Sequence, residues 1–129
     1  MQRAEIVARA AEGQPGEVVD CELGGVDLSG LDLAGWQFRR CGMKAARFVG
    51  TVLDGAVFEL CRGAGADFAA ARLGDGELRG CDFNNASFAG AVLTGARIVG
   101  CRLTGADWVK AGTIGVMVED TLLVSARLR

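Results

Sequence analysis

Large apolar side chains recur along this chain at every fifth position. From Leu23 the series runs through Leu28, Leu33, Phe38, Met43, Phe48, Leu53, Phe58, Gly63, Phe68, Leu73, Leu78, Phe83, Phe88, Leu93, Ile98, Leu103, Trp108, Thr113, Val118, Leu123 and Leu128. Only Gly63 and Thr113 interrupt it. The residue two places earlier is Ala or Cys at 15 of these 22 positions, and the residue two places later is Gly at 12, so three of the five positions carry a repeated role. A period of five matches neither the 3.6 of a helix nor the 2 of an extended strand. It fits a chain that turns a corner every five residues. The large residue and the small one before it then point inward, the other three point outward, and glycine at the corner supplies backbone angles that strain other residues. Four corners close a coil of about 20 residues, and coils stack about 4.8 Å apart through parallel backbone hydrogen bonds. The chain is long enough for about five coils, a rod of roughly 25 Å.

Cysteine tests the coil length independently. Cys21, Cys41, Cys61, Cys81 and Cys101 stand 20 residues apart, which predicts one buried wall of small side chains, one above another. Neighbouring coils are close enough for a disulfide, but parallel inward vectors and an odd count argue for five free, slowly reacting thiols. A linear ladder without histidine offers no tetrahedral metal set. The other walls predict a stack of Leu28, Phe48, Phe68, Phe88 and Trp108, and another of Leu33, Leu53, Leu73 and Leu93. Gly63 should leave a hole that Met43 and Phe83 can fill, and it is the expected place for a bulge or an irregular corner.

The pattern resembles the pentapeptide repeat family, whose repeat is an Ala, an Asp or Asn, a Leu or Phe, and two variable residues. Ala66, Asp67 and Phe68, then Ala86, Ser87 and Phe88, then Ala106, Asp107 and Trp108 carry the likeness, which extends over residues 21–128. Val26, Leu31 and Trp36 depart from it at the small inward position, all in the first coil, where the core should open toward a cap. The resemblance implies an all-β fold, a right-handed four-sided parallel β-helix, and leaves the partner open because the family is functionally diverse.

Residues 1–17 read as an N-terminal helical cap and 18–129 as a single β-helix domain. A helix is expected over residues 3–12, with Ile6, Val7 and Ala10 on one side, Gly13 as its stop and Pro15 beyond. At the other end the outward positions turn apolar, at Val109, Ile114, Met117, Leu122 and Val124. This patch reads either as a local cap formed by the last coil or as a homodimer interface; some family members dimerise through their C-terminal coils. Val52, Val57 and Val92 add a smaller outward apolar group.

Charge narrows the function. The chain carries 16 acids and 14 bases, net −2, with no histidine and no tyrosine. Residues 1–35 hold seven acids and two bases, whereas Arg39, Arg40, Lys44 and Arg47 follow without an acid among them. These four form a candidate basic corner for an acidic partner or phosphate, or simply a solvated corner. No P-loop, GxSxG, metal-ligand cluster or dinucleotide fingerprint is present, so no cofactor, metal or catalytic residue is expected. Neither a basic stripe nor exposed aromatic side chains support direct nucleic-acid binding. No membrane span or secretory signal is apparent, and the free thiols suggest a reducing, cytoplasmic setting in a bacterial cell. The leading reading is a non-catalytic protein-interaction or scaffold module. The resemblance adds two alternatives: a protein acting on DNA gyrase or a related topoisomerase by imitating DNA, as antibiotic-resistance members do, and an accessory of a secretion or toxin system. DNA imitation requires a strongly acidic rod, but residues 21–108 hold ten acids and nine bases.

Overall fold

The computed structural model describes residues 1–127; Leu128, the last large position of the series, lies outside the described residues. Helix α1 (Arg3–Ala11) comes first, followed by six three-residue strands: β1 (Glu17–Val19), β2 (Gln37–Arg39), β3 (Val57–Glu59), β4 (Glu77–Arg79), β5 (Arg97–Val99) and β6 (Met117–Glu119). The strands form one parallel sheet in chain order. Phe38 lies opposite Phe58, and Leu78 opposite Ile98. The other three walls are ladders of single bridges, such as Glu22 to Gly42, Asp27 to Arg47 and Asp32 to Val52. Every one of these pairs is 20 residues apart, so the chain winds as a four-sided right-handed β-helix, the hand that parallel crossovers take.

Backbone hydrogen bonds hold the interval. The large inward residue donates upward to a carbonyl 19 residues on, as Phe48 N–H does to Asp67 O at 2.7 Å. Its outward neighbour donates downward to a carbonyl 21 residues earlier, as Arg47 N–H does to Val26 O at 2.9 Å. Three corners in each coil above the first are β-turns closed by bonds such as Ala66 N–H to Gly63 O, 2.9 Å. The residue before the turn's last one is left-handed, with Gly30 at φ 73° but also Ala45 at φ 57° and Asn85 at φ 60°. Glycine is favoured there because other L residues lose roughly 1–2 kcal/mol in that conformation. The outward Asp of the repeat has its own role. Asp27, Asp67, Asp82 and Asp107 each accept, through Oδ1, the N–H two residues on, at 2.9, 2.9, 3.0 and 3.0 Å, which fastens the turn.

Inside, like stacks on like. Phe48, Phe68, Phe88 and Trp108 stack with centroids 4.8, 5.1 and 4.3 Å apart and planes within 5°. Phe38 and Phe58 form a second stack at 4.9 Å, and Phe58 meets Phe48 and Phe68 edge-on at 88° and 90°. Both arrangements are favoured by the ring quadrupole. The series also starts one step earlier than its first leucine, because Val18 is fully buried in β1.

Two departures from the repeat are settled by their vertical neighbours. A Cβ on Gly63 would collide with the Phe83 ring and approach Met43 Cγ to 3.1 Å, so both neighbours fill the space as expected. The expected bulge is absent: Gly63 N–H bonds Asp82 O at 2.7 Å and the ladder runs through without a break. The size deficit is absorbed by side chains, which leaves the backbone nothing to correct. Trp36, oversized for the small inward position, is buried because Gly16 lies below it, where a Cβ would sit 2.7 Å from the indole.

The cysteine wall carries more than small volume. The corner after each strand lacks a backbone turn bond, and no carbonyl among the described residues accepts the N–H of Cys41, Cys61, Cys81 or Cys101. In this column the side chain one coil up is the next cysteine for Cys41, Cys61 and Cys81, and Thr121 for Cys101. Thr121 ends the series by accepting from Cys101 N–H through Oγ1 at 3.2 Å. Each thiol in turn donates to the carbonyl 23 residues back, as Cys61 does to Phe38 O and Cys81 to Phe58 O at 3.3 and 3.2 Å. Hydrogen bonding with neighbouring thiols, followed by burial, pushes Cys41 and Cys81 up, which keeps them protonated. All five cysteines are free, and only Cys21 is partly exposed.

Three outcomes follow from this packing. Gly63→Ala should destabilise by about 1–3 kcal/mol through overpacking, measured by denaturant unfolding, and Phe83→Leu should restore part of the loss. Cys61→Ala should cost about 1–2 kcal/mol because it removes the buried thiol's packing and its bond to Phe38 O, whereas Cys61→Ser, whose hydroxyl can donate in the same place, should cost less. A thiol reagent should label Cys21 alone before unfolding, read by mass spectrometry.

Candidate functional site

The two ends of the rod are built differently. At the N-terminal end Glu5 Oε1 accepts Gln2 N–H at 3.2 Å, which opens α1, and Gly13 at φ 76° turns the chain away beyond it. Ile6 is fully buried against the first coil, with Met1 and Ala10 packed beside it. Arg3 Nε donates to Asp27 O at 2.8 Å. In higher coils the equivalent carbonyl accepts a backbone N–H from below, as Arg47 O does from Leu28 and Asp67 O from Phe48. The guanidinium thus replaces one rung of a coil that is not there.

The C-terminal end has no such cover among the described residues. Val118 and Leu123 belong to the inward series but are 46% and 38% exposed, while every earlier apolar member from Leu23 to Trp108 is buried. With Ile98, Trp108, Ala111, Thr113 and Val116 they line an open cavity of about 380 Å³. Trp108 Nε1 is buried beside it with no hydrogen-bond partner. The backbone N–H groups of Thr113, Gly115, Asp120, Leu123 and Ser125 also find no acceptor among the described residues. Outside, Ile114, Met117, Leu122 and Val124 are 79, 52, 53 and 62% exposed, and Val109 is half-buried. The coil register puts them on different sides: Met117 in β6, Leu122 on the cysteine wall, and Val109, Ile114 and Val124 at the corners after the aromatic, leucine and cysteine walls. They therefore form an interrupted apolar collar around an open apolar mouth. Sequence reasoning missed Val118 and Leu123 because their period marks them as core, whereas no coil lies above them among the described residues.

Three of the four basic residues lie one coil above acids. Arg40 Nε and a terminal nitrogen meet the two Asp20 oxygens at 2.8 and 3.1 Å. Arg39 lies 3.2 Å from Glu17 and 3.5 Å from Glu59. Arg47 stands directly over Asp27 in the bridge ladder. Lys44 borders a shallow trough with Glu22, Gly42, Arg62, Ala64 and Asp82. The acid-rich first coil and the basic second coil are thus partners across the 20-residue interval, and Arg39 and Arg40 have their charge largely engaged. Val92 is 46% exposed, and Val52 and Val57 are half-buried. Among the described residues no group of His, Cys, Asp and Glu has metal-binding geometry, and no helix is long and apolar enough to cross a membrane.

Comparison with known proteins agrees with this geometry. Residues 21–59 and 77–107 match the family model for pentapeptide repeats in eight copies. No curated protein matches the chain. Among solved structures, trypsin-treated QnrB1, a plasmid-mediated fluoroquinolone resistance protein, is similar with a TM-score of 0.69 and 23% identity, over 87% of this chain and 55% of that one. The chain thus spans little more than half of QnrB1. A pentapeptide repeat protein, Rfr23, from the cyanobacterium Cyanothece 51142 aligns with a TM-score of 0.44 and 20% identity, over 83% of this chain and 90% of that one. One from the Arabidopsis thaliana thylakoid lumen aligns with a TM-score of 0.42 and 28% identity, over 84% and 61%.

The ion pairs set a pH dependence. The hydrogen bond from Arg40 holds the Asp20 carboxyl below its ordinary value, and hydrogen bonds from Ser29 do the same for Asp27. A carboxylate depressed in the folded state stabilises it above the ordinary carboxylate range and loses that contribution as pH falls through the folded value. Acid should therefore loosen the first two coils below about pH 4, and Asp20→Asn should flatten that limb of the stability–pH curve.

Proposed function

We propose that this chain, which belongs to the pentapeptide repeat family, is a non-catalytic protein-interaction module that docks through its C-terminal coil, with a second copy of itself as the partner. The observation that carries this reading is the open mouth lined by Val118, Leu123 and Trp108 inside an apolar collar of Ile114, Met117, Leu122 and Val124. Exposed apolar surface of this kind marks an interaction site. The N–H groups of this coil edge that find no acceptor among the described residues add a hydrogen-bonding requirement that an apolar small molecule does not meet. Two copies meeting end to end about a two-fold axis would present the same mouth, collar and edge to each other, which is the self-complementarity of a closed dimer. The basic corner is a weaker docking candidate, since Arg39 and Arg40 are engaged with Glu17, Glu59 and Asp20.

Imitation of duplex DNA is less well supported. The likeness to QnrB1 reaches 23% identity and speaks for the fold alone. The outward Asp residues of the repeat are fastened to turn N–H groups, and bases alternate with them up the walls. A gyrase supercoiling assay with micromolar protein should show no protection from a fluoroquinolone.

Sedimentation velocity tests the docking reading. The parent chain should sediment as a dimer, and Leu122→Asp or Met117→Asp should shift it to monomer by tenfold or more in dissociation constant while the far-UV spectrum stays the same. A parent that stays monomeric at high micromolar concentration would sink the self-docking reading.

A further inference from the structure

We infer that a notch at Gly42, on the outer face of the cysteine wall, is a docking point for the carboxylate side chains of an acidic peptide segment. The outward ladder on this wall reads Glu22, Gly42, Arg62, Asp82, Arg102, and Gly42 is its one rung without a side chain. The gap opens a trough of about 220 Å³ that carries Lys44 at the adjoining corner and Arg62 one coil up. Gly42 has a bridge partner both below and above it, so neither end of the rod contributes to the site.

The molecule's own Glu22 shows what the notch admits. Its side chain reaches up from the rung below and lies over Gly42, where both carboxylate oxygens would collide with a Cβ. Glu22 nevertheless forms no ion pair among the described residues. Lys44 and Arg62 form none either, whereas Arg39, Arg40, Arg72 and Arg79 each have one. The other acid of the trough, Asp82, has its Oδ1 occupied by the Asn84 N–H at 3.0 Å, which ties it to its own turn. The tethered Glu22 carboxylate thus enters the hollow but stops short of both cations, and their charge is left to an occupant from outside.

The residue types fit such an occupant. Arg62 offers a planar fork to two carboxylate oxygens, and Lys44 a point charge on a flexible stem. A single exposed ion pair contributes little, so the occupant that fits is a run of carboxylates, one seated over Gly42 and others shared between Lys44 and Arg62. The chain's net charge of −2 gives no general attraction for an acidic segment, so binding has to come from a local site. Glu22, held only by its own stem, swings aside to admit the guest and competes with it. The site lies on a side wall, and self-docking through the C-terminal coil neither requires nor excludes it.

The test titrates the full-length chain into a labelled hexaglutamate peptide at low ionic strength and follows fluorescence anisotropy, with far-UV circular dichroism on every variant. The parent should bind, and salt should weaken the binding because the site is exposed. Gly42→Val fills the notch without altering charge and should weaken binding tenfold or more. Valine already stands at the same rung of the leucine wall, at Val52 and Val92, and a Cβ at Gly42 meets only the mobile end of Glu22. Arg62→Glu should lose as much, and it decides the matter should Gly42→Val lose the β-helix spectrum. Arg97→Glu, exposed on the strand wall, makes the same change in charge and should stay within twofold of the parent. Glu22→Gln should tighten binding several-fold. Acetate and inorganic phosphate at matched ionic strength should displace the peptide equally poorly.

The inference is overturned if the parent does not bind, if a folded Gly42→Val binds as the parent does, or if Arg97→Glu loses as much as Arg62→Glu, since the attraction would then be diffuse. Weaker binding by Glu22→Gln overturns it too, as does selective displacement by phosphate, which would make the trough an anion site of another kind. A monomeric parent that binds the peptide upholds this inference without the dimer, and a dimeric parent that does not bind it upholds the dimer alone.

Discussion

The parallel backbone ladder, which ties each residue to partners 19 and 21 places away, is the constraint on which every other feature of this molecule depends. It converts a one-dimensional repeat into columns, and each column must then be compatible with itself along its whole height. Aromatic columns satisfy this by stacking, as Phe48, Phe68, Phe88 and Trp108 do within 5° of parallel. Charged columns satisfy it by alternating sign. Where one rung is the wrong size, the column corrects it locally: Gly63 yields its space to Phe83, and Gly16 yields its space to Trp36. The backbone spacing is never the thing that gives way, because shifting one rung would break the bonds of the coils on both sides.

The ladder also gives the cysteines their purpose. In each coil above the first, three corners close with a backbone turn bond and the fourth does not. A buried N–H without an acceptor costs free energy comparable to a lost hydrogen bond. At the top of the column Thr121 Oγ1, one coil up, answers the Cys101 N–H. Cysteine fills the same place lower down with a side chain small enough for the core and able to donate to the carbonyl 23 residues back. The thiols thus combine small volume with a hydrogen bond to the coil below.

Much of this was legible in the sequence, for a physical reason: one period of five and one of 20 encode the whole lattice. Leu23 and its successors fixed the walls, and the cysteine interval fixed the coil length before any coordinates. What stayed hidden needed either a backbone angle or a neighbour. Gly63 suggested a bulge because a missing side chain was weighed alone, without the Phe83 ring that enters its space. The acidic opening of the chain and the basic residues after it looked like two separate anomalies. Applied to charge, the 20-residue interval places Arg40 over Asp20 and Arg47 over Asp27, and the anomalies cancel. The missing turn bond behind the cysteine column has no sequence signature.

These same assignments push function toward the ends of the rod. Along the sides, the side chains that look most interactive are already occupied: Asp27, Asp67, Asp82 and Asp107 fasten turns, and Arg39 and Arg40 answer acids below them. A surface whose charges serve the fold has little left with which to select a partner. The ends differ, because a lattice can satisfy itself everywhere except at its first and last coils. There the two edges differ, with a helix setting Ile6 and Arg3 against one, while at the other Val118 and Leu123 stay partly exposed among the described residues. Within the described residues the unevenness lies at these two coils, where the column pattern has a neighbour on one side only.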